Sequence, residues 1–186
     1  MAADIVDQRL SIRVLTERLA RTSAARQRQM LSTVIEHLRA EVDASLEGLL
    51  ATLVPEPNYH LWQDGVDHGP KDLEGVTRYY GELVEAKRHI LEFDIDRVVV
   101  DDETIVTEGW IRAINLGSVA RARGWVVDDL DASYLVTQRV VIFWPFDAAG
   151  RMLGEDGYAS FDPGCARRLR DEELPDAYRS LFATAG

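Results

Sequence analysis

Between residues 90 and 116 the chain reads ILEFDIDRVVVDDETIVTEGWIRAINL, and this stretch limits the fold more than any other. Val98, Val99, Val100, Ile105, Val106 and Thr107 are β-branched, which suits a pleated, part-buried surface and restricts side-chain freedom in a helix. The acidic trio Asp101, Asp102 and Glu103 divides the run, so it predicts two long strands folded back as a hairpin. On the second arm Glu108 and Trp110 are two residues apart, and strand alternation points both to one face.

A hairpin of this length needs another layer to cover it, and the preceding sequence supplies helices. Apolar residues recur at three- and four-residue steps over residues 4–19 (Ile5, Val6, Leu10, Val14, Leu15, Leu19) and 24–39 (Met30, Leu31, Val34, Ile35, Leu38). Asp43 can cap a third run with Leu46, Leu49, Leu50 and Leu53, closed by Pro55 and Pro57. Residues 58–62 predict a short aromatic strand and 63–70 a loop. Residues 71–88 predict a helix bearing Leu73, Val76, Tyr79, Tyr80, Leu83 and Val84. After the central hairpin, residues 117–131 read as a long excursion. Residues 133–146 and 151–160 form a second hairpin, and a short helix over 171–182 ends the tail. The resulting class is α+β: antiparallel hairpins with helices packed on one face, and a pocket between them if the sheet curves.

At 186 residues this is one domain by length, divided into a helical extension over 1–23, a core over 24–162 and a tail over 163–186. The net charge of −11 repels phosphate backbones and anionic lipid surfaces, so neither nucleic acid nor membrane is expected as a partner. A single cysteine, Cys165, forms no disulfide within the chain. The start lacks the basic, then apolar pattern of a signal peptide, and no stretch has transmembrane length, so a cytoplasmic location is expected. Four scattered histidines give no metal spacing, and P-loop, GxGxxG, GxSxG and HExxH patterns are absent from the sequence. No metal and no cofactor is expected.

The strings LEGLLATLVPEPNYHLW, GPKDLEGVTRYYGEL, RVVVDDETIVTEG and FDAAGRMLGEDGY, in that order over residues 41–160, resemble the nuclear transport factor 2-like superfamily, in its SnoaL-like and ketosteroid-isomerase-like branch. The resemblance implies a cone of curved antiparallel sheet wrapped over helices, an apolar cavity and common assembly as dimers; the exposed outer sheet face of such a cone, and an N-terminal amphipathic helix whose apolar stripe needs a cover, lead to the expectation of a homodimer or higher oligomer. It implies no single reaction, because one fold hosts many. The steroid-isomerase positions fall near His37, Leu61 and Ile142, two of them apolar, so that mechanism is not carried over. The Arg-x-Asp of the epoxide hydrolases is missing from the strand holding Glu108, Gly109, Trp110 and Ile111.

Four residues are candidate acids, bases or hydrogen-bond donors. Glu108, beside Trp110, is either a carboxyl tuned by burial or the partner of Arg112 or Arg139. In the strand at 59–62, Tyr59 and Leu61 share one face and His60 and Trp62 the other, so either Tyr59 or His60 enters the cavity. Alternation over Glu155, Asp156, Gly157 and Tyr158 puts one of the two acids inside, with Asp156 the candidate. Candidate substrate contacts are His37, Trp62, Tyr80, Trp110, Gln138, Trp144 and Tyr158. The function expected is a cofactor-independent acid–base enzyme of lyase or isomerase type, acting on a small, largely apolar, aromatic or cyclic molecule. The alternative is a non-catalytic binding module of the same fold. What separates them is whether at least two titratable groups converge on the pocket.

Overall fold

The computed structural model describes residues 5–182. The expected helix start at Asp4 and the outermost residues of the expected domain lie outside them.

Helices α1 (Leu10–Ala20), α2 (Ala25–Val42) and α3 (Leu46–Ala51) open the fold. They are followed by the hairpin β1 (His60–Gln63) and β2 (Val66–Asp67), then α4 (Leu73–Glu85). The long strands β3 (Leu91–Val100) and β4 (Thr104–Leu116) fold back at the acidic trio, where Asp101 Oδ1 accepts from the backbone N–H groups of Glu103 and Thr104. Then come α5 (Gly117–Ala122), β5 (Ser133–Pro145), β6 (Asp156–Ala159), β7 (Arg167–Arg168) and α6 (Asp176–Ser180).

One curved, unclosed sheet runs β2-β1-β6-β5-β4-β3, with β7 pairing β5. The sheet is mixed rather than wholly antiparallel as expected: β1 pairs β6 in parallel, with His60 opposite Asp156 and Gln63 opposite Ala159. The expected excursion after β4 contains α5. The expected terminal helix divides into a 3₁₀ turn at Asp171–Glu173 and α6.

The curvature has a local cause. A β-bulge between Ile95 and Arg97 leaves Asp96 without a partner on β4. Just opposite, Gly109 lets the two backbones close in, because a Cβ there would stand 2.0 Å from the Asp94 carbonyl oxygen. Bulges bend the bulged strand and increase its twist.

Inside the curve, Leu15, Met30, Leu31, Val34, Ile35, Leu49, Tyr59, Val76, Ile105, Val140, Trp144 and Met152 form the main core. Each such large side chain contributes about 1.5–3 kcal/mol by leaving water. The helix expected from residue 4 begins only at Leu10, and the apolar stripe is covered within the same chain: Ile12 and Leu15 of α1 join this core, and Val6, ahead of the helix, packs with Ile90, Ile114 and Tyr178. A second copy is therefore not needed to cover it, which removes that motive for expecting an oligomer. No helix among the described residues is long and apolar enough to cross a membrane.

Candidate functional site

A cavity of about 700 Å³ lies between the inner sheet face and the helices. Parity decides what enters it. The register places Ile111, Ala113 and Asn115 of β4 opposite Gln138, Val136 and Tyr134 of β5, and the first five of these line the cavity with Val140, Ile142 and Trp144. Leu61 and Gln63 enter from β1, Phe93 from β3, and Glu155, Gly157 and Ala159 from the last strand and its approach.

Two carboxyl groups reach this space, Glu41 and Glu155. Glu41 lies one turn beyond His37 on α2 and continues the buried stripe Met30, Val34, His37. Loss of water around its carboxyl, reinforced by the nearby charge of Glu155, pushes its pKa up to about 7. His37 and Arg88 pull it down by less. Glu41 is half-buried and lines the cavity. Tyr79 also lines the cavity, and burial followed by Glu155 pushes its phenol up to about 12, so at neutral pH it is a hydrogen-bond donor.

Glu155 is seated by backbone contacts. The N–H of His60 donates to its carbonyl at 2.8 Å, and the preceding Gly154 approaches so closely that a Cβ would stand 2.0 Å from the Asn58 carbonyl oxygen. Its side chain then meets two buried groups. Tyr80 donates to Glu155 Oε1 at 2.7 Å, and His37 Nε2 lies 2.9 Å from Tyr80 Oη and 3.2 Å from Glu155 Oε1. Behind them the Tyr59 and Tyr80 hydroxyls are 3.2 Å apart.

The protons in this triangle can be counted. Thr52 gives its only hydroxyl hydrogen to the Leu49 carbonyl at 2.7 Å, so it accepts from His37, whose Nδ1 lies 2.7 Å away. The ring N–H of a neutral His37 is thereby placed on Nδ1, and Nε2 presents a lone pair. Tyr80 has one hydrogen for two acceptors, His37 Nε2 and Glu155 Oε1. A hydrogen on His37 Nε2, shared between Tyr80 Oη and Glu155 Oε1, would satisfy all three contacts of this proton-holding triangle.

The residues named from sequence divide across the sheet. His37 and Tyr80 are buried in the triangle, and Tyr59 backs it with its phenol held well above the usual range by burial. Gln138 and Trp144 line the cavity, and Trp144 donates its indole N–H to Thr107 at 2.9 Å.

Glu108 does not reach the cavity. It lies on the outer face between Arg139 (2.6 Å) and Arg97 (3.0 Å), and the hydrogen bond from Arg139 lowers its pKa rather than raising it. Trp110 shares that face, 43% exposed, with the Arg139 guanidinium over its ring. His60 and Asp156 are also turned away from the interior, because Leu61 and Gly157 take the inward parity. His60 is bonded to Asp67 at 2.7 Å, and Asp67 in turn binds Lys71. Trp62 and Tyr158 stack on the same side, their ring centroids 6.5 Å apart, and border the cavity only at its edge.

The acid inside the last strand is thus Glu155, not Asp156. Glu41 escaped sequence reading altogether, although its four-residue step from His37 along a buried stripe was a usable signal. Among the described residues no group of three or more His, Cys, Asp or Glu side chains is arranged to hold a metal.

No protein-family profile and no curated protein sequence matches this chain. Solved structures do. A protein from Shewanella putrefaciens assigned as a SnoaL-like polyketide cyclase is 10% identical, with a TM-score of 0.62 over 86% of this chain and 92% of its own. An NTF2-like protein of unknown function from Burkholderia pseudomallei is 20% identical, with a TM-score of 0.53 over 73% and 92%. The epoxide hydrolase/cyclase-like enzyme SalBIII, described for pyran ring formation in polyether salinomycin, is 9% identical, with a TM-score of 0.52 over 70% and 89%. The curved mixed sheet, the helices inside it and these likenesses together give the chain the NTF2-like fold, in the form found in SnoaL-like proteins.

Proposed function

We propose that the chain is a cofactor-independent acid–base enzyme of the cyclase, lyase or isomerase kind, moving a proton beside a carbonyl or hydroxyl of a largely apolar molecule. The observation that carries this reading is Glu41, a carboxyl tuned to about 7 in an apolar cavity that a second carboxyl, Glu155, also enters. An acid with that value changes hands with its proton at neutral pH, which is what a general base or acid requires. In this reading ionised Glu41 removes the proton. Tyr79 donates to the oxygen on which charge develops, and Glu155, held by Tyr80 and His37, supplies or stores the second proton. Support for the ring-forming class comes from the names of structural neighbours, a SnoaL-like polyketide cyclase and an epoxide hydrolase/cyclase-like enzyme.

The test uses a reporter that needs only a base in an apolar pocket. Base-promoted ring opening of 5-nitrobenzisoxazole is followed by absorbance. The rate should rise with pH through an inflection near 7, and Glu41→Gln should lower it about a hundredfold or more. A rate no greater than that of acetate buffer, or one indifferent to Glu41→Gln, would leave the chain a binding module.

A further inference from the structure

Two cationic side chains face the same cavity without a direct ion-pair partner. Arg88, just beyond α4, and Arg123, just beyond α5, both line it. Among the described residues neither guanidinium has a carboxylate within 4 Å or a hydrogen-bond partner. Arg88 Nε is buried and unpartnered, and the only recorded contact of the Arg123 guanidinium is with the Trp125 ring, 4.9 Å from its centroid. Several other arginines find acids, among them Arg97 and Arg139 on Glu108, Arg112 on Glu92 and Arg168 on Asp129, and others, such as Arg26 and Arg28, give their N–H groups to backbone carbonyls; what sets Arg88 and Arg123 apart is that both line the cavity.

The two arginines also act on each other: partial loss of water at the guanidinium, then the charge of Arg88, lowers the Arg123 pKa, although the side chain as a whole is exposed. Holding like charges together at a part-buried rim costs free energy unless an anion joins them. The cavity is walled by Phe93, Ile111, Val140, Ile142 and Trp144, and Asn115, a lining residue 2% exposed, has a buried amide whose Nδ2 and Oδ1 find no partner among the described residues. The chain therefore leaves both charge and hydrogen-bonding capacity for a guest to satisfy.

We infer that the ligand of this cavity is a carboxylate-bearing apolar molecule, whose carboxylate is held between Arg88 and Arg123 while its ring or chain lies against the apolar wall. The inference rests on the acid–base reading above and deepens it by fixing the charge of the substrate. A planar guanidinium offers two parallel N–H donors to a carboxylate, and such charge-assisted contacts are about twice as strong as neutral ones.

The experiment compares two probes of one shape, 1-naphthylacetate and 1-naphthylacetamide, by titration calorimetry at physiological ionic strength. The carboxylate should bind at least tenfold tighter than the amide. In the double variant Arg88→Gln, Arg123→Gln that ratio should fall to near one, with amide affinity unchanged. Arg123→Gln alone, at an exposed position outside the core, should lower the ratio at least threefold. Equal binding of the two probes by the unaltered protein, or a ratio that survives in the double variant, overturns the inference. Turnover is not read here, so loss of the benzisoxazole rate would sink the proton-transfer reading and leave the charge preference standing, and the reverse result would do the opposite.

Discussion

A carboxyl walled by apolar groups is costly once ionised, and Glu41 turns that cost into a pH dependence. Its ordinary value is 4.5 and its value in the fold about 7. Below 4.5 both folded and unfolded chains hold the proton; between the two values the unfolded chain has released it and the folded chain has not. The contribution to stability is therefore full at low pH, declines as pH rises through about 7, and stays lost above it. Glu41→Gln should raise the unfolding free energy by about 2–3 kcal/mol at pH 8 and by little at pH 4, as read by thermal melts at the two values. Glu108→Gln should behave oppositely in kind. It removes a partner of Arg97 and Arg139 on the solvated outer face, so its cost in stability should be small, with the benzisoxazole rate unchanged. The sequence pointed to Glu108 because an acid two residues from a tryptophan must share its face. What it did not reveal was which face, since the Asp96 bulge and the two arginines are tertiary facts. His37 and Tyr80 were legible as candidates. Their joint role was not, because it depends on Glu155 being brought to within 3.2 Å of both.

Among the elements, the central hairpin and the helix order follow from local pattern, because side-chain period and turn chemistry are properties of neighbouring residues. The parallel pairing of β1 with β6 does not, since no turn joins them and β6 is only four residues long. Two glycines hold these elements where the site needs them. Gly109→Ala would drive a methyl into the Asp94 carbonyl at the bend of the sheet, and Gly154→Ala would do the same at Asn58, beside Glu155. Each should cost about 2–3 kcal/mol or more in chemical denaturation. Gly154→Ala should also depress the benzisoxazole rate in whatever protein remains folded, whereas Gly109→Ala, away from the carboxyls, should act on stability alone.

At the scale of the whole molecule, the α+β cone with a pocket was readable because a long amphipathic sheet preceded by amphipathic helices has few other ways to bury both. The chemistry of the pocket was not, because its acids come from an early helix and the approach to a late strand. That wide separation also bears on time. His37 meets Tyr80 across 43 residues and Glu155 across 118, and Tyr80 meets Glu155 across 75. A ribosome must therefore have made most of the chain, and the short strand after Glu155 must have slotted between β1 and β5, before the proton-holding triangle exists at all. Contacts of such long range close late because loop entropy must be overcome first, so the triangle is expected to assemble late in folding and to open early in unfolding. Amide hydrogens of β6 should exchange well before those of β4, and the cavity should pass through an open form that still keeps its central hairpin.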